Sequence, residues 1–281
     1  MREIEAKEVT KTVASLIIEA AYTLPDDVLK ALQKAREIEE STVGREILDS
    51  ILENAEIGNR GEVPLCQDTG DGLVFLELGQ DVHIVGGDLF EAVNEGVRIA
   101  YDKGYLRKSM VRQPFSARIN TGDNTPVILH THIVPGDKLR IIAAPKGGGG
   151  ENPSRFCVML PAAGRQGIID FAVETVDAAG PNACPPVIVG VGIGGTVEMP
   201  LLMAKRALFR RIGEPNPDDE IARLEKDILE EVNKLGIGPQ GLGGTVTALA
   251  VHVEVYPCHI ASLPVAVNLQ CHSARYREAI L

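Results

Sequence analysis

The chain has 281 residues, with 28 Lys+Arg against 39 Asp+Glu, for a formal charge of −11. Apolar residues make up 44% and charged residues 24%, a globular balance; so acidic a chain, with no Trp and 4% aromatics, lacks the basic stripes and stacking platforms of a nucleic-acid binder. No apolar run approaches the roughly 18 residues of a membrane span, and Met1-Arg2-Glu3-Ile4-Glu5-Ala6-Lys7-Glu8 is too charged to lead a signal peptide, so a cytoplasmic protein is expected.

The first sixty residues read as helix. Val9, Val13, Leu16, Ile17, Ala20 and Ala21 form one apolar stripe. Pro25 marks a new start, and Val28, Leu29, Leu32 and Ala35 continue the pattern. Ser41 is placed to cap a third helix carrying Ile47, Leu48, Ile51 and Leu52, which stops by Gly61. Beyond Gly61, short apolar runs at 73–78, 127–134, 139–144 and 187–191 predict strands, and helices are expected over 167–178 and 218–235. Glycines cluster at strand ends, and no repeat, linker or boundary is evident. The reading is mixed α/β (α+β): one domain over 1–281, a helical layer over 1–60, then a sheet-containing core with Gly-rich loops.

Gly190-Val191-Gly192-Ile193-Gly194-Gly195 satisfies Gly-x-Gly-x-x-Gly after a strand-like run. The acidic residue that a dinucleotide site wants about twenty positions on is missing, so a tight strand-to-helix turn is the better reading. Lys146-Gly147-Gly148-Gly149-Gly150-Glu151-Asn152 is no Walker loop, because no Gly-Lys-Ser/Thr follows. Its turned amides beside Lys146 could cradle a carboxylate or form a plain surface loop.

None of the five cysteines lies in a Cys-x-x-Cys pair, which disfavours a zinc ribbon or ferredoxin-type site. Cys66, Cys184 and Cys271 stand beside turn-forming or polar residues, whereas Cys157 in Phe156-Cys157-Val158 reads as a core thiol. His130 and His132 share a strand face and could pair on a metal, although a polar solvent face is the commoner case. His252, between Val251 and Val253, is expected to face out of a sheet, and His259 falls in a turn before a strand.

Taken together, Pro64-Leu65-Cys66-Gln67-Asp68-Thr69-Gly70, Lys146-Gly147-Gly148-Gly149-Gly150-Glu151-Asn152, Ala183-Cys184-Pro185-Pro186 and Gly236-Ile237-Gly238-Pro239-Gln240-Gly241 resemble the class I, iron–sulfur fumarate hydratases over nearly the whole chain. The closer likeness is to their alpha subunit, related to that of L-tartrate dehydratase. The resemblance implies a [4Fe–4S] cluster held by Cys66, Cys184 and Cys271 with one iron open, acting as a Lewis acid in the hydration of fumarate to malate. It implies Asp68 and His259 in catalysis, and Gln67, Arg107, Gly149 and Lys146 in substrate binding. It also implies a separate beta subunit that supplies the base and further carboxylate contacts, in a larger heteromer. Gly150 and Cys258 depart from the family pattern, and the Lys146 and Cys258–Pro264 stretches favour fumarate over tartrate. Two other readings remain open: a nicotinamide oxidoreductase using the Gly190–Gly195 loop, and a cluster-carrying subunit without catalysis.

Overall fold

The stripe from Val9 to Ala21 does form one helix, and Val9, Val13, Ile17, Ala20 and Ala21 are wholly buried along it. The computed structural model describes residues 1–281. In chain order its elements are β1 (Arg2–Glu5), α1 (Ala6–Tyr22), α2 (Asp26–Ile38), α3 (Thr42–Asn59), β2 (Asp71–Gly79), β3 (Val82–Val85), α4 (Leu89–Lys103), β4 (Ile128–Val134) and β5 (Leu139–Lys146). There follow α5 (Gly148–Glu151), β6 (Arg155–Met159), α6 (Gly164–Ala179), β7 (Val187–Gly194), α7 (Glu198–Ala207), α8 (Asp219–Asn233), β8 (Ala248–Tyr256), β9 (Leu263–Gln270) and β10 (Arg277–Ile280). Mixed α/β is the class, and every helix and strand expected above is present.

The backbone clusters into two units, each drawn from separated stretches of sequence. The first comprises Met1–Pro25, Asn54–Gly148 and Arg275–Leu281; the second comprises Asp26–Glu53 and Gly149–Ala274. In the first, the sheet order is β10-β5-β2-β4, with β2 parallel to β4 and antiparallel to β5, and β10 antiparallel to β5. Strands β1 and β3 form a small parallel pair. Helix α4 begins at Asp88, whose side chain accepts from the Glu91 amide at 2.9 Å, an N-cap. A Cβ on Gly96 would stand 2.8 Å from that of Val13, so this glycine lets α4 lie close on α1. Ile4, Val74, Leu76, Val93, Val97 and Ile141 belong to the core between helices and sheet.

In the second unit the order is β6-β9-β7-β8, with β7 parallel to β8 and antiparallel to β9, and β6 antiparallel to β9. Helix α7 sits directly on β7. A Cβ on Gly190 would come 2.0 Å from Ala204 O, and one on Gly192 2.1 Å from Pro200 O. Gly190 and Gly192 thus lie within β7 and serve helix-on-strand packing, and the tight turn read from the motif is confined to its end, where Gly194 and Gly195 have φ +93° and +71°. Val189, Val191, Ile228, Val253 and Val267 belong to this unit's core. The two sheets share one wiring: a central strand, a helical crossover to a parallel neighbour, then a return strand on the other side.

Glu39 is the second unit's most heavily bonded buried carboxylate. It is 1% exposed, and its oxygens accept from the amides of Ser41, Thr245 and Val246 and from the Thr245 hydroxyl at 2.9–3.2 Å. Burial disfavours the charge, but these bonds outweigh it and hold the carboxyl below its ordinary value of 4.5. Its stabilisation is therefore full above that value and is lost as pH falls through the lower folded one. Glu39→Gln would turn an amide toward backbone donors and is expected to cost about 1–3 kcal/mol near pH 7. Urea midpoints should show this gap closing under acid, since the variant has no such carboxylate to protonate.

Candidate active site

At one end of the first unit's sheet, the register pairs Asp71 at the start of β2 with Lys146 at the end of β5. The loop entering β2 is anchored by buried Leu65, whose amide donates to Ala21 O at 2.9 Å and whose carbonyl accepts from Asn54 Nδ2 at 2.9 Å. Half-buried Cys66, exposed Gln67 and half-buried Asp68 follow. Asp68 Oδ1 accepts from Gly70 N at 3.0 Å, and Oδ2 accepts from Gly148 N at 2.9 Å. Gly70 has φ +62°, and a Cβ there would fall 2.1 Å from Lys146 O, so only glycine closes this turn.

Further contacts fix the loop. Tyr101 Oη lies 2.7 Å from Thr69 O and 2.9 Å from Gly70 O, and burial drives its phenol well above the usual range despite the opposing charge of Arg275. Asn124 Nδ2 donates to Gly70 O at 3.2 Å, while its Oδ1 accepts from the amides of Ser109 and Met110. Thr69 Oγ1 donates to Arg107 O at 2.8 Å, tying the arginine segment to the loop while its side chain stays exposed. The glycine-rich run forms the single turn α5, and the anion met by its first amide is the chain's own Asp68. Lys146 is 4% exposed and thus closed to solvent. Gly149 is half-buried, and a Cβ there would lie 2.8 Å from Asn182 O.

The second unit repeats this arrangement at the corresponding end, where Ile188 at the start of β7 pairs with Gln270 at the end of β9. Cys184 precedes β7 in a left-handed conformation (φ 52°), and Cys271 follows β9. The two turns are stitched together: His272 donates its backbone N–H to Cys184 O at 3.3 Å, and its Nδ1 stands 3.0 Å from the same oxygen. Gln240 Nε2 lies 2.9 Å from that Nδ1 and donates to Pro185 O at 3.1 Å. Both thiols are half-buried in turns rather than sunk in the core. In donor chemistry they suit a thiophilic iron centre, as does Cys66 in the first unit. No group of three or more His, Cys, Asp or Glu side chains stands within reach of one metal ion.

His259 lies apart from the cysteine turns of its own unit. His259 precedes β9 and Cys271 follows it, so eight strand residues at about 3.4 Å each separate them by about 27 Å. His259 and exposed Cys258 instead line a cavity of about 530 Å³ with Val158, Thr196 and Tyr256 at the opposite end of the sheet. His130 stacks on Phe75 with ring centres 5.0 Å apart, and His132 is exposed on the edge strand β4. His252 does not face out: it is 3% exposed, its Nδ1 is 3.0 Å from Ala207 O, and burial lowers its pKa to about 4 with help from Arg210. Cys157 is half-buried against the second core, and burial raises its thiol. No sequence motif marks Tyr101, Asn124 or Arg275.

The chain matches the family described as Fumarate hydratase (Fumerase) over residues 10–280. A Methanocaldococcus jannaschii protein with the provisional name L(+)-tartrate dehydratase subunit alpha is 43% identical over 274 residues, covering 95% of each chain. The L(+)-tartrate dehydratase subunit alpha of Escherichia coli strain UTI89 is 33% identical over 272 residues, covering 95% of this chain and 89% of its own. The same figures hold for the protein of that name from Shigella boydii serotype 4.

Proposed function

The chain belongs to the fumarate hydratase family, and from that premise we propose that it is the alpha subunit of a hydro-lyase that interconverts fumarate and malate. The observation that carries this is the assembly, at one sheet end, of the thiol-bearing loop, a carboxylate held on two amides, and an exposed arginine. Cys66, Cys184 and Cys271 would hold a [4Fe–4S] cluster, which supplies Lewis-acid polarisation and an acidified water when bound.

This chain's own residues carry the rest. Hydration adds OH to one alkene carbon and H to its neighbour. Asp68 takes the proton released from the adding water and, in reverse, returns it to the departing hydroxyl. The amides of Gly70 and Gly148 fix both its oxygens, so its position is set before substrate arrives. Arg107 presents a planar guanidinium to one substrate carboxylate, which lets a dianion bind an acidic protein. Gln67 is exposed next to Asp68 and supplies an amide to the same ligand, as does the backbone of Gly149. Lys146, closed to solvent at the same end of the sheet, is assigned to add positive charge there. His259 stands at the far end of its own sheet, so proton transfer at the oxygen is assigned to Asp68 alone. The carbon-bound proton is handled by a separate beta subunit, whose existence the relatives' names as alpha subunits support.

Those names also favour a second substrate, L(+)-tartrate. Anaerobic co-expression with the beta partner, followed by kcat/KM for fumarate, malate and L(+)-tartrate, tests both. The expected result is an iron–thiolate absorption band with turnover of a C4 dicarboxylate. An iron-loaded complex that turns over none of the three would overturn the proposal.

A further inference from the structure

Arg275 is among the largest buried side chains of the molecule, 2% exposed, yet its guanidinium is poorly satisfied. Nη2 donates to Asp68 O at 2.8 Å, while Nε and Nη1 are buried without a hydrogen-bond partner. A buried cation kept with two idle donors is a poor device for stability, since an apolar side chain of similar volume often serves folding as well or better. Its geometry points to another task. Gly147 packs on both groups: a Cβ there would be 3.1 Å from Asp68 Oδ2 and 3.5 Å from Arg275 Nη2. Carboxylate, guanidinium and the glycine turn therefore share one face, and the arginine grips the backbone of the residue whose side chain is held by Gly70 and Gly148.

We propose that Arg275 is the positioning residue of the site, holding the Asp68 carboxylate where the reaction needs it through its bond to the Asp68 carbonyl. This rests on the hydro-lyase reading, in which Asp68 transfers the proton. A loosened Asp68 would meet substrate in the wrong place, and displacement by about an ångström can cost about a hundredfold in rate.

The test uses the iron-loaded complex with its beta partner, carrying Arg275→Met or Arg275→Lys. Arg275→Met is expected to lower kcat about a hundredfold with KM within about threefold, at unchanged iron content and with a melting temperature no lower than wild type. Arg275→Lys, which can still reach the Asp68 carbonyl, should recover part of kcat. Hydrogen exchange gives a readout independent of turnover: the amides of Gly70 and Gly148 should lose protection in Arg275→Met and regain it in Arg275→Lys. A melting temperature that falls with kcat in both variants would mark a merely structural arginine and overturn the proposal. So would unchanged kcat, or unchanged protection at both amides. A wild-type complex inactive on every C4 dicarboxylate would instead defeat the functional reading, and the exchange comparison would still judge whether Arg275 holds Asp68.

Discussion

In the assembled enzyme, Asp68→Asn is expected to lower kcat by about 10²–10⁴-fold, the usual worth of a positioned proton-transfer group. Asparagine keeps the shape of the side chain and can still accept from one of the Gly70 and Gly148 amides. Toward the other it presents an amide donor, an opposition that costs about 1–3 kcal/mol. A modest drop in melting temperature should therefore accompany a large loss of turnover. Since Asp68 offers no thiol, iron per complex should stay at the wild-type level. That combination separates the hydro-lyase from a non-catalytic cluster carrier, in which the substitution would leave activity untouched. Steady-state kinetics with iron quantification on the same preparation decide it: normal turnover at normal iron content would remove Asp68 from the chemistry.

Much of the fold was legible because its elements carry one-dimensional signals. The stripe of α1 and the capped start of α3 follow from periodicity, and the buried strands β2, β5 and β7 from apolar runs bounded by glycine. Shorter pieces escaped: β1, β3 and β10 have four residues each, too few for a period to show. The longer α4 also went unread, although Ala92, Val93, Val97, Ala100 and Tyr101 line its buried face. The division into two units escaped for a different reason. Each unit is assembled from distant stretches, so no linker composition marks a boundary. Gly190 and Gly192 show the limit of motif reading, because bare backbone invites close approach equally from a pyrophosphate or from a helix, and here the visitor is α7. His259 shows the limit of spacing. Twelve residues before Cys271 sounds near, but an extended strand occupies most of that interval. Arg275 needed the structure altogether, since nothing in a sequence distinguishes a buried arginine with idle donors from a solvated one.

The shared wiring of the two sheets explains why the loops that carry the proposed site residues stood out in the sequence. In each unit the informative loops sit where the central strand begins and its antiparallel neighbour ends: Cys66–Gly70 with Lys146–Gly148 in one, Cys184–Pro186 with Cys271–His272 in the other. Backbone leaving a sheet edge must turn sharply there, which demands glycine, proline and left-handed residues. Those same positions are free to carry polar side chains outward. Turn chemistry and the proposed reaction chemistry therefore fall on the same short segments, and these are the segments whose motifs stood out.

Cys184→Ser should be the second large loss. The substitution is nearly isosteric, and the left-handed backbone at residue 184 and the bonds from His272 to its carbonyl do not involve sulfur. The fold should thus survive, with melting behaviour close to wild type for the metal-free chain. A hydroxyl is a far poorer partner for iron than a thiolate, so iron and the iron–thiolate absorption should fall toward background in the complex. Losing a Lewis acid removes several kcal/mol of transition-state stabilisation, at about 1.4 kcal/mol per decade a loss of at least about a hundredfold in turnover. Cys271→Ser should behave alike, because its turn is joined to that of Cys184. Cys157→Ser and Cys258→Ser are the controls: one thiol packs against the core and the other lines the cavity at the far end of the sheet. If either control drains iron as fully as Cys184→Ser does, or if Cys184→Ser retains its iron, the ligand set is not the one proposed. The three turn-borne thiols would then owe their positions to packing alone.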